Sequence, residues 1–249
     1  MIRLLLLAGT AEARALSTSV QGVELVTSLA GVTAETAIYG GQVRRGGFGG
    51  VAGLARYLSV AGIDAVVDAT HPFAEQISRH AVLACRSLDL PLLRLERRPW
   101  SAEPGDSWFP FESLNRAVGA LPPGAVGFVA AGRSAATILP PHHVRLILRT
   151  IEAPKKVAKR VMILRARPPF PVADETRLFR AHGVTHLLCK NAGGSTGFTK
   201  LRAARALQLP VHMVTRPPQL KVPHVENVRE ALEWITCVAK PTPGGAQRA

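Results

Sequence analysis

The chain is short of several things, and each shortage argues against a class of protein. Its 249 residues hold only three cysteines, Cys85, Cys189 and Cys237, far apart and without a C-x-x-C pair. That count and spacing disfavour both a disulfide framework and a thiolate zinc site. No metal is expected, and each cysteine reads as a small apolar side chain. No apolar run approaches the ~20 residues of a membrane span. The opening MIRLLLLAGTAEAR has an apolar core of about seven residues and runs into a Glu-bearing helix without a convincing cleavage site. It reads as the first strand of a cytoplasmic protein. Aromatic residues make up only 5%, and 17 Asp+Glu stand against 31 Lys+Arg, a formal charge of +14. Such a surface attracts anions: nucleic acid, an acidic membrane or a small polyanionic substrate. Nucleic-acid binders cluster their basic residues and interleave stacking aromatics. Here the basic residues are scattered, which weakens that reading.

What is present is a core. Hydrophobic residues make up 47% of the chain, enough for one large or two small domains. Strand-like apolar runs at 2–8, 23–28, 64–69 and 91–95 alternate with helical patterns at 10–20, 51–62 and 72–87. A period of about 30 residues is the signature of βαβ units around a parallel sheet. The stretch 97–110, RRPWSAEPGDSWFP, breaks the rhythm and reads as an interdomain connection. Alternation then resumes, with strands expected at 125–130, 144–149, 161–165, 184–189 and 211–215. Helices are expected at 112–120, 133–139, 173–182, 198–207 and 226–238. The expected architecture is α/β: two Rossmann-like domains with parallel sheets and an interdomain cleft. Residues 1–98 would bind a nucleotide, 99–240 would form the substrate domain, and 241–249 would be a disordered tail.

Five stretches could carry chemistry. Gly9-Thr10-Ala11-Glu12 joins the first strand to the first helix, where a dinucleotide fold holds its pyrophosphate. The G-x-G-x-x-G pattern is absent, and an N-cap by Thr10 with Glu12 in the first turn explains the residues almost as well. The cluster Gly46-Gly47-Phe48-Gly49-Gly50 leads into a helix and lets backbone approach a phosphate or a flat ring. Arg44 and Arg45 beside it favour an anion site over a flexible loop and suit the 2′-phosphate of NADP, with Ser28 the other candidate there. The turn Asp68-Ala69-Thr70-His71-Pro72 ends a strand at the position where open α/β sheets bind ligands, although a helix cap with a proline start is an equal reading. His71 could donate a proton, but a lone histidine at such a turn more often bonds backbone or cofactor. The fourth stretch, Cys189-Lys190-Asn191-Ala192-Gly193-Gly194-Ser195-Thr196-Gly197, fails the P-loop pattern. A carboxylate site built on Lys190, Asn191 and backbone amides fits it better. Arg133 and Arg216 are the fifth candidates, each with a solvated charge as the plain alternative.

Taken together, LLLAGTAEARAL, VTSLAG, VRRGGFGGVAGLARYL, IDAVVDATHPFAEQIS, LPLLRLERRPW and CKNAGGSTGFTKLRAARALQLPVHMVTRPP resemble the precorrin-6A reductase family of cobalamin biosynthesis, in order and spacing, over residues 1 to about 235. One departure is Ala192, where the family often has serine. The resemblance implies an enzyme that reduces the precorrin-6A macrocycle to precorrin-6B with NADPH. The cofactor would lie on the first domain and the polycarboxylate tetrapyrrole in the cleft. Thr70, His71, Pro72 and Phe73 would shape the nicotinamide end. Arg133, Lys190, Asn191, Gly193, Gly194, Ser195, Thr196 and Arg216 would meet the substrate, with Lys190 as the orienting charge. A basic cleft would steer such a substrate inward. No catalytic side chain emerges, and a monomer without nucleic-acid or membrane partners is expected. The rival classes are a non-catalytic nucleotide-, tetrapyrrole- or RNA-binding protein, and another NADP-linked reductase of an acidic substrate.

Overall fold

The computed structural model describes residues 1–31, 38–132, 135, 137–151, 157–167 and 169–239. The chain divides into two compact units. One comprises Met1–Arg97 together with the segment from Pro218 onward, and the other is Arg98–Pro217.

The first unit contains β1 (Arg3–Leu7), α1 (Ala11–Ser19), β2 (Glu24–Leu29), β3 (Gln42–Arg45), α2 (Gly50–Val60), β4 (Ala65–Asp68), α3 (Glu75–Ser87) and β5 (Leu92–Leu95). Each of Leu4 to Leu7 is no more than 2% exposed, so β1 shows no alternation and reads as a continuous apolar run, as a strand covered on both faces must. Leu4 and Leu6 pack in one layer with Ala13 and Leu16 of α1. Leu5 and Leu7 pack in the opposite layer with Leu54 and Leu58 of α2 and Ala81 and Ala84 of α3.

The second unit contains β6 (Trp108–Phe111), α4 (Leu114–Gly119), β7 (Val126–Ala130), β8 (Arg145–Thr150), β9 (Val161–Arg165), α5 (Val172–Ala181), β10 (His186–Lys190), α6 (Thr199–Ala206) and β11 (Val211–Val214). The chain then supplies β12 (His224–Val225) and α7 (Val228–Ala239). The two six-stranded sheets run β12-β5-β4-β1-β2-β3 and β6-β11-β10-β7-β8-β9, and every strand pair is parallel. Chain order reverses between β1 and β4 and again between β7 and β10, which makes those the topological switch points. No described helix is long and apolar enough to cross a membrane.

Two boundaries differ from expectation. Residues 99–240 are not one domain, because the chain leaves the second unit after Pro217. Without that return the outer edge of β5 would stand open. Instead Arg94 N donates to Pro223 O at 2.9 Å and Glu96 N to Val225 O at 2.9 Å, while Ala231 and Ile235 of α7 bury against β1, β4 and α1. Nor is the whole of 97–110 irregular connection: Trp108–Phe111 is a strand. Pro110 is tolerated there because β6 is an edge strand with β11 as its one neighbour. The first unit also holds an unforeseen edge strand, β3, which carries Arg44 and Arg45. Of the helix expected at 133–139, Arg133, Ser134 and Ala136 lie outside the described residues, as does the tail 241–249.

Candidate functional site

At the first switch point, Thr10 does two jobs. Its Oγ1 caps α1 by accepting from Ala13 N at 3.1 Å and donates to Ala69 O at 2.9 Å, so the turn after β1 is tied to the turn after β4. Gly9, at φ 151°, turns the chain between strand and cap. The first-turn N–H groups of a helix have no intrahelical partner and favour an anion. Glu12 sits in that turn, but Arg97 pairs with its carboxylate at 2.6 Å and neutralises it.

The glycine loop follows β3. Gly49 takes a left-handed φ of 78° as the N-cap of α2, a backbone that glycine adopts without penalty. Gly47 has neither reason to be glycine. Its φ is ordinary, and an added Cβ would meet nothing within 4 Å. A bare, open backbone that the fold does not require is what close ligand approach requires.

Arg44 organises this loop. Its Nη1 donates to Ser28 Oγ at 2.9 Å and Gly46 O at 3.1 Å, and its Nη2 to Gly47 O at 3.2 Å. Its guanidinium lies 3.8 Å from the Phe48 ring centre, with Tyr57 at 4.9 Å. Of the five guanidinium N–H groups, three are thereby engaged. The end of β2 is where an NAD site places an acidic residue against the ribose 2′-hydroxyl and an NADP site an arginine against the 2′-phosphate. Here that position holds neutral Ser28 bonded to an arginine.

Beneath the turn 69–74 lies a buried polar network. Thr70 N and Oγ1 both donate to Asp68 Oδ1, at 3.0 and 2.7 Å. Arg94 donates to Asp68 Oδ2 and Ser78 Oγ, each at 2.5 Å, and pairs with Glu96. Breaking such a pair leaves an uncompensated buried charge, so Asp68 and Arg94 hold the turn's shape. His71 Nδ1 accepts from Phe73 N at 3.2 Å, which puts the neutral ring's proton on Nε2 and matches the plainer reading of this histidine. Pro72 is buried, and half-buried Phe73 lines a separate pocket with Ile77, His80 and Leu83 of α3.

A cavity of about 270 Å³ gathers Ser28, Gly46, Gly47, Phe48, Gly49 and Thr70. Gly9, Thr10, Ala11 and Glu12 stand at the neighbouring turn and do not line it, nor do His71, Pro72 and Phe73. The cavity adds Gln76, Ile77 and His80 of α3, which sequence reasoning missed. Their signal was a helical face at i, i+1 and i+4.

In the second unit several expected substrate groups turn inward instead. Asn191 Oδ1 accepts from Trp100 N at 2.7 Å, and its Nδ2 donates to Trp100 O at 2.9 Å. Trp100 Nε1 donates to Gly194 O at 2.7 Å. Arg216 donates to the carbonyls of Asn191 and Ala192, at 2.9 and 3.1 Å. Asn191 and Arg216 therefore build the loop. Gly193, at φ 69°, is a packing necessity: a Cβ there would lie 2.1 Å from Arg98 O. Lys190 ends β10 half-buried, and desolvation pulls its pKa below the ordinary lysine value. A second cavity, of about 240 Å³, is lined by Gly132, Arg149, Glu175, Thr196, Gly197 and Lys200 among others. Gly194 and Ser195 do not line it, and Arg133 is outside the described residues. Arg149 is held bidentately by Glu175, at 2.7 and 2.8 Å. Lys200, 7% exposed, donates to Gly197 O at 2.5 Å and lies 4.7 Å from the Trp100 ring centre. Neither Arg149 nor Lys200 had been singled out. Burial pushes the Cys85 thiol up to about 12 and Cys189 to about 11, so neither is a nucleophile near neutrality. Cys237 is exposed rather than packed.

Fold and site define a doubly wound parallel α/β protein with glycine-bearing, cavity-lining loops at two switch points. Its particular kinship follows from four matches. The family model for precorrin-6x reductase CbiJ/CobK covers residues 3–236. The precorrin-6A reductase of Rhodococcus erythropolis is 42% identical over 242 residues, 94% of this chain and 98% of that protein. That of Rhodobacter capsulatus is 43% identical over 228 residues, 87% and 89% respectively. The solved structure of a CobK precorrin-6A reductase superposes with a TM-score of 0.86 at 38% identity, covering 96% of this chain and 97% of that one. The chain belongs to the precorrin-6x reductase CbiJ/CobK family.

Proposed function

We propose that this chain reduces precorrin-6A to precorrin-6B with NADPH, the nucleotide held by the first unit and carboxylates of the macrocycle by cations of the second. Family membership supports the substrate. The observation that carries the cofactor is the Ser28–Arg44 pair at the end of β2 beside a glycine loop whose Gly47 is bare for no packing reason. Bound NADPH supplies the hydride. The chain's own groups bind and orient it. Arg44 keeps two N–H donors for the 2′-phosphate, and the first-turn amides of α1 receive the pyrophosphate, with Glu12 neutralised by Arg97. The Thr10–Ala69 and Asp68–Thr70 bonds hold the two turns of the crevice in register. Fixing donor and acceptor carbons roughly 3–3.5 Å apart is worth about 7–11 kcal/mol of barrier.

The formal charge of +14 steers a polycarboxylate inward. Lys190 orients it, and Lys190→Ala should raise KM or lower kcat tenfold or more, since a charge-assisted contact contributes about 1.5–3 kcal/mol. Buried free thiols suit a reducing cytoplasm. The test is an anaerobic mixture of protein, NADPH and purified precorrin-6A followed at the NADPH absorbance band. Loss that requires all three components supports the reading. Absence of redox change defeats it.

A further inference from the structure

The cavity of about 270 Å³ in the first unit has a character its surroundings lack. In a strongly basic protein, its lining contains no lysine, arginine, aspartate or glutamate. Its walls are Leu7, Ala8, Ala30, Phe48 and Ile77 together with bare glycine backbone. A phosphate has no counter-charge there, whereas a flat neutral ring has apolar faces to lie against. Ser28, Gly46 and Gly47, the three groups that Arg44 bonds, all line this cavity. A ring in this cavity would therefore lie beside the phosphate that Arg44 would hold.

From the other side α3 presents Gln76 and His80. They are four residues apart on a helix and so share one face. Gln76 is exposed, and neither its amide nor the His80 ring hydrogen-bonds any described residue. The helix thus brings an unengaged amide and an unengaged imidazole to the rim of an apolar, uncharged slot. A carboxamide offers a donor and an acceptor side by side, the complement of the amino group and N7 along one edge of adenine.

We propose that this cavity takes the purine ring of the cofactor, with Gln76 reading the adenine amino edge and His80 closing the slot one turn along. The inference rests on the assignment of NADPH to the first unit and adds the groups that select its base. The probe is nicotinamide hypoxanthine dinucleotide phosphate, which keeps the 2′-phosphate and nicotinamide but carries a carbonyl in place of the adenine amino group. That edge presents two acceptors, which one amide cannot satisfy.

Dissociation constants for both dinucleotides are measured by fluorescence titration on the full chain and on Gln76→Leu. Gln76 is a surface helical residue without intramolecular bonds, so the variant should fold. The wild type should prefer NADPH at least fivefold. Gln76→Leu should bring the ratio close to one, through weaker NADPH binding, while still binding both. No preference in the wild type, or a preference that survives in Gln76→Leu, overturns the base reading and leaves the cofactor assignment intact. Failure of the wild type to bind either dinucleotide overturns both.

Discussion

The two units have the same strand order around their switch points, β3-β2-β1-β4-β5 in one and β9-β8-β7-β10-β11 in the other. Each is completed at its sixth position by a strand from outside that run. After β5 the chain supplies β6 to the second sheet, and after β11 it supplies β12 to the first. The crevices at the carboxyl ends nevertheless differ in chemistry. The first is lined without charge and has a glycine, Gly47, that packing does not demand. The second is lined by Arg149, Glu175 and Lys200, beside a loop whose Gly193 packing does demand. One topology has set the position of both sites, and the loops alone have set what each can hold. A neutral slot beside one aromatic-stacked arginine suits a nucleotide. A cavity with buried cations suits an acidic substrate.

The sharpest way to break this comparison is to give each loop a methyl group. Gly193→Ala places a side chain at positive φ against Arg98 O and the Arg216 guanidinium. It should destabilise the protein by about 2–6 kcal/mol, combining left-handed strain with overpacking, and lower the urea midpoint accordingly. Gly47→Ala should leave that midpoint within about 0.5 kcal/mol and weaken nucleotide binding instead. Equal stability losses in the two variants would erase the distinction between a packing glycine and a site glycine.

The next effect concerns the exchanged C-terminal segment. Ile235 is 2% exposed and packs in the layer beneath β1 and α1. Ile235→Ala should cost about 2–5 kcal/mol, and the loss should appear in the first unit although Ile235 follows the second unit in the chain. Hydrogen exchange that resolves α1 and β1 checks this. Faster exchange confined to residues 98–217 would contradict the assignment of α7.

The smallest effect belongs to a pair of histidines in the second sheet. His212 Nδ1 donates to Ala117 O, 2.7 Å away, and its ring lies 5.4 Å from the His186 ring. Burial holds both pKa values below the ordinary histidine value, and His212 further disfavours a charge on His186. The unfolded chain therefore binds more protons in that window. This contribution to stability is complete above the unfolded pKa of about 6.5 and falls as pH drops toward the lower folded values. Urea midpoints at pH 7.5 and 5.5 should show the loss, and His212→Phe should have a shallower slope. An unchanged slope would remove the histidines from the account.

The central strands and most helices were legible because burial on both sheet faces writes itself as apolar runs, as in Leu4 to Leu7. The edges were not. β3 is largely exposed and reads QVRR, β6 contains Pro110, and β12 is two residues long, so none carries a periodicity. Helix α7 was legible as a helix, but an amphipathic pattern does not say which sheet it covers. Ser28, Arg44 and the glycine loop were expected together from residue type and position, and hydrogen bonds join them. Asn191 and Arg216 bond their own unit's backbone, which residue type cannot reveal. Gln76 and His80 were missed because an exposed polar helical face reads as solvated.

The most direct measurement is the affinity of the wild type and Arg44→Ala for NADPH and for NADH. The account predicts that the wild type prefers NADPH and that the variant loses tenfold or more for NADPH, about 1.5–3 kcal/mol for a charge-assisted contact, with NADH binding little changed. Equal losses for the two nucleotides, or none for either, would contradict it.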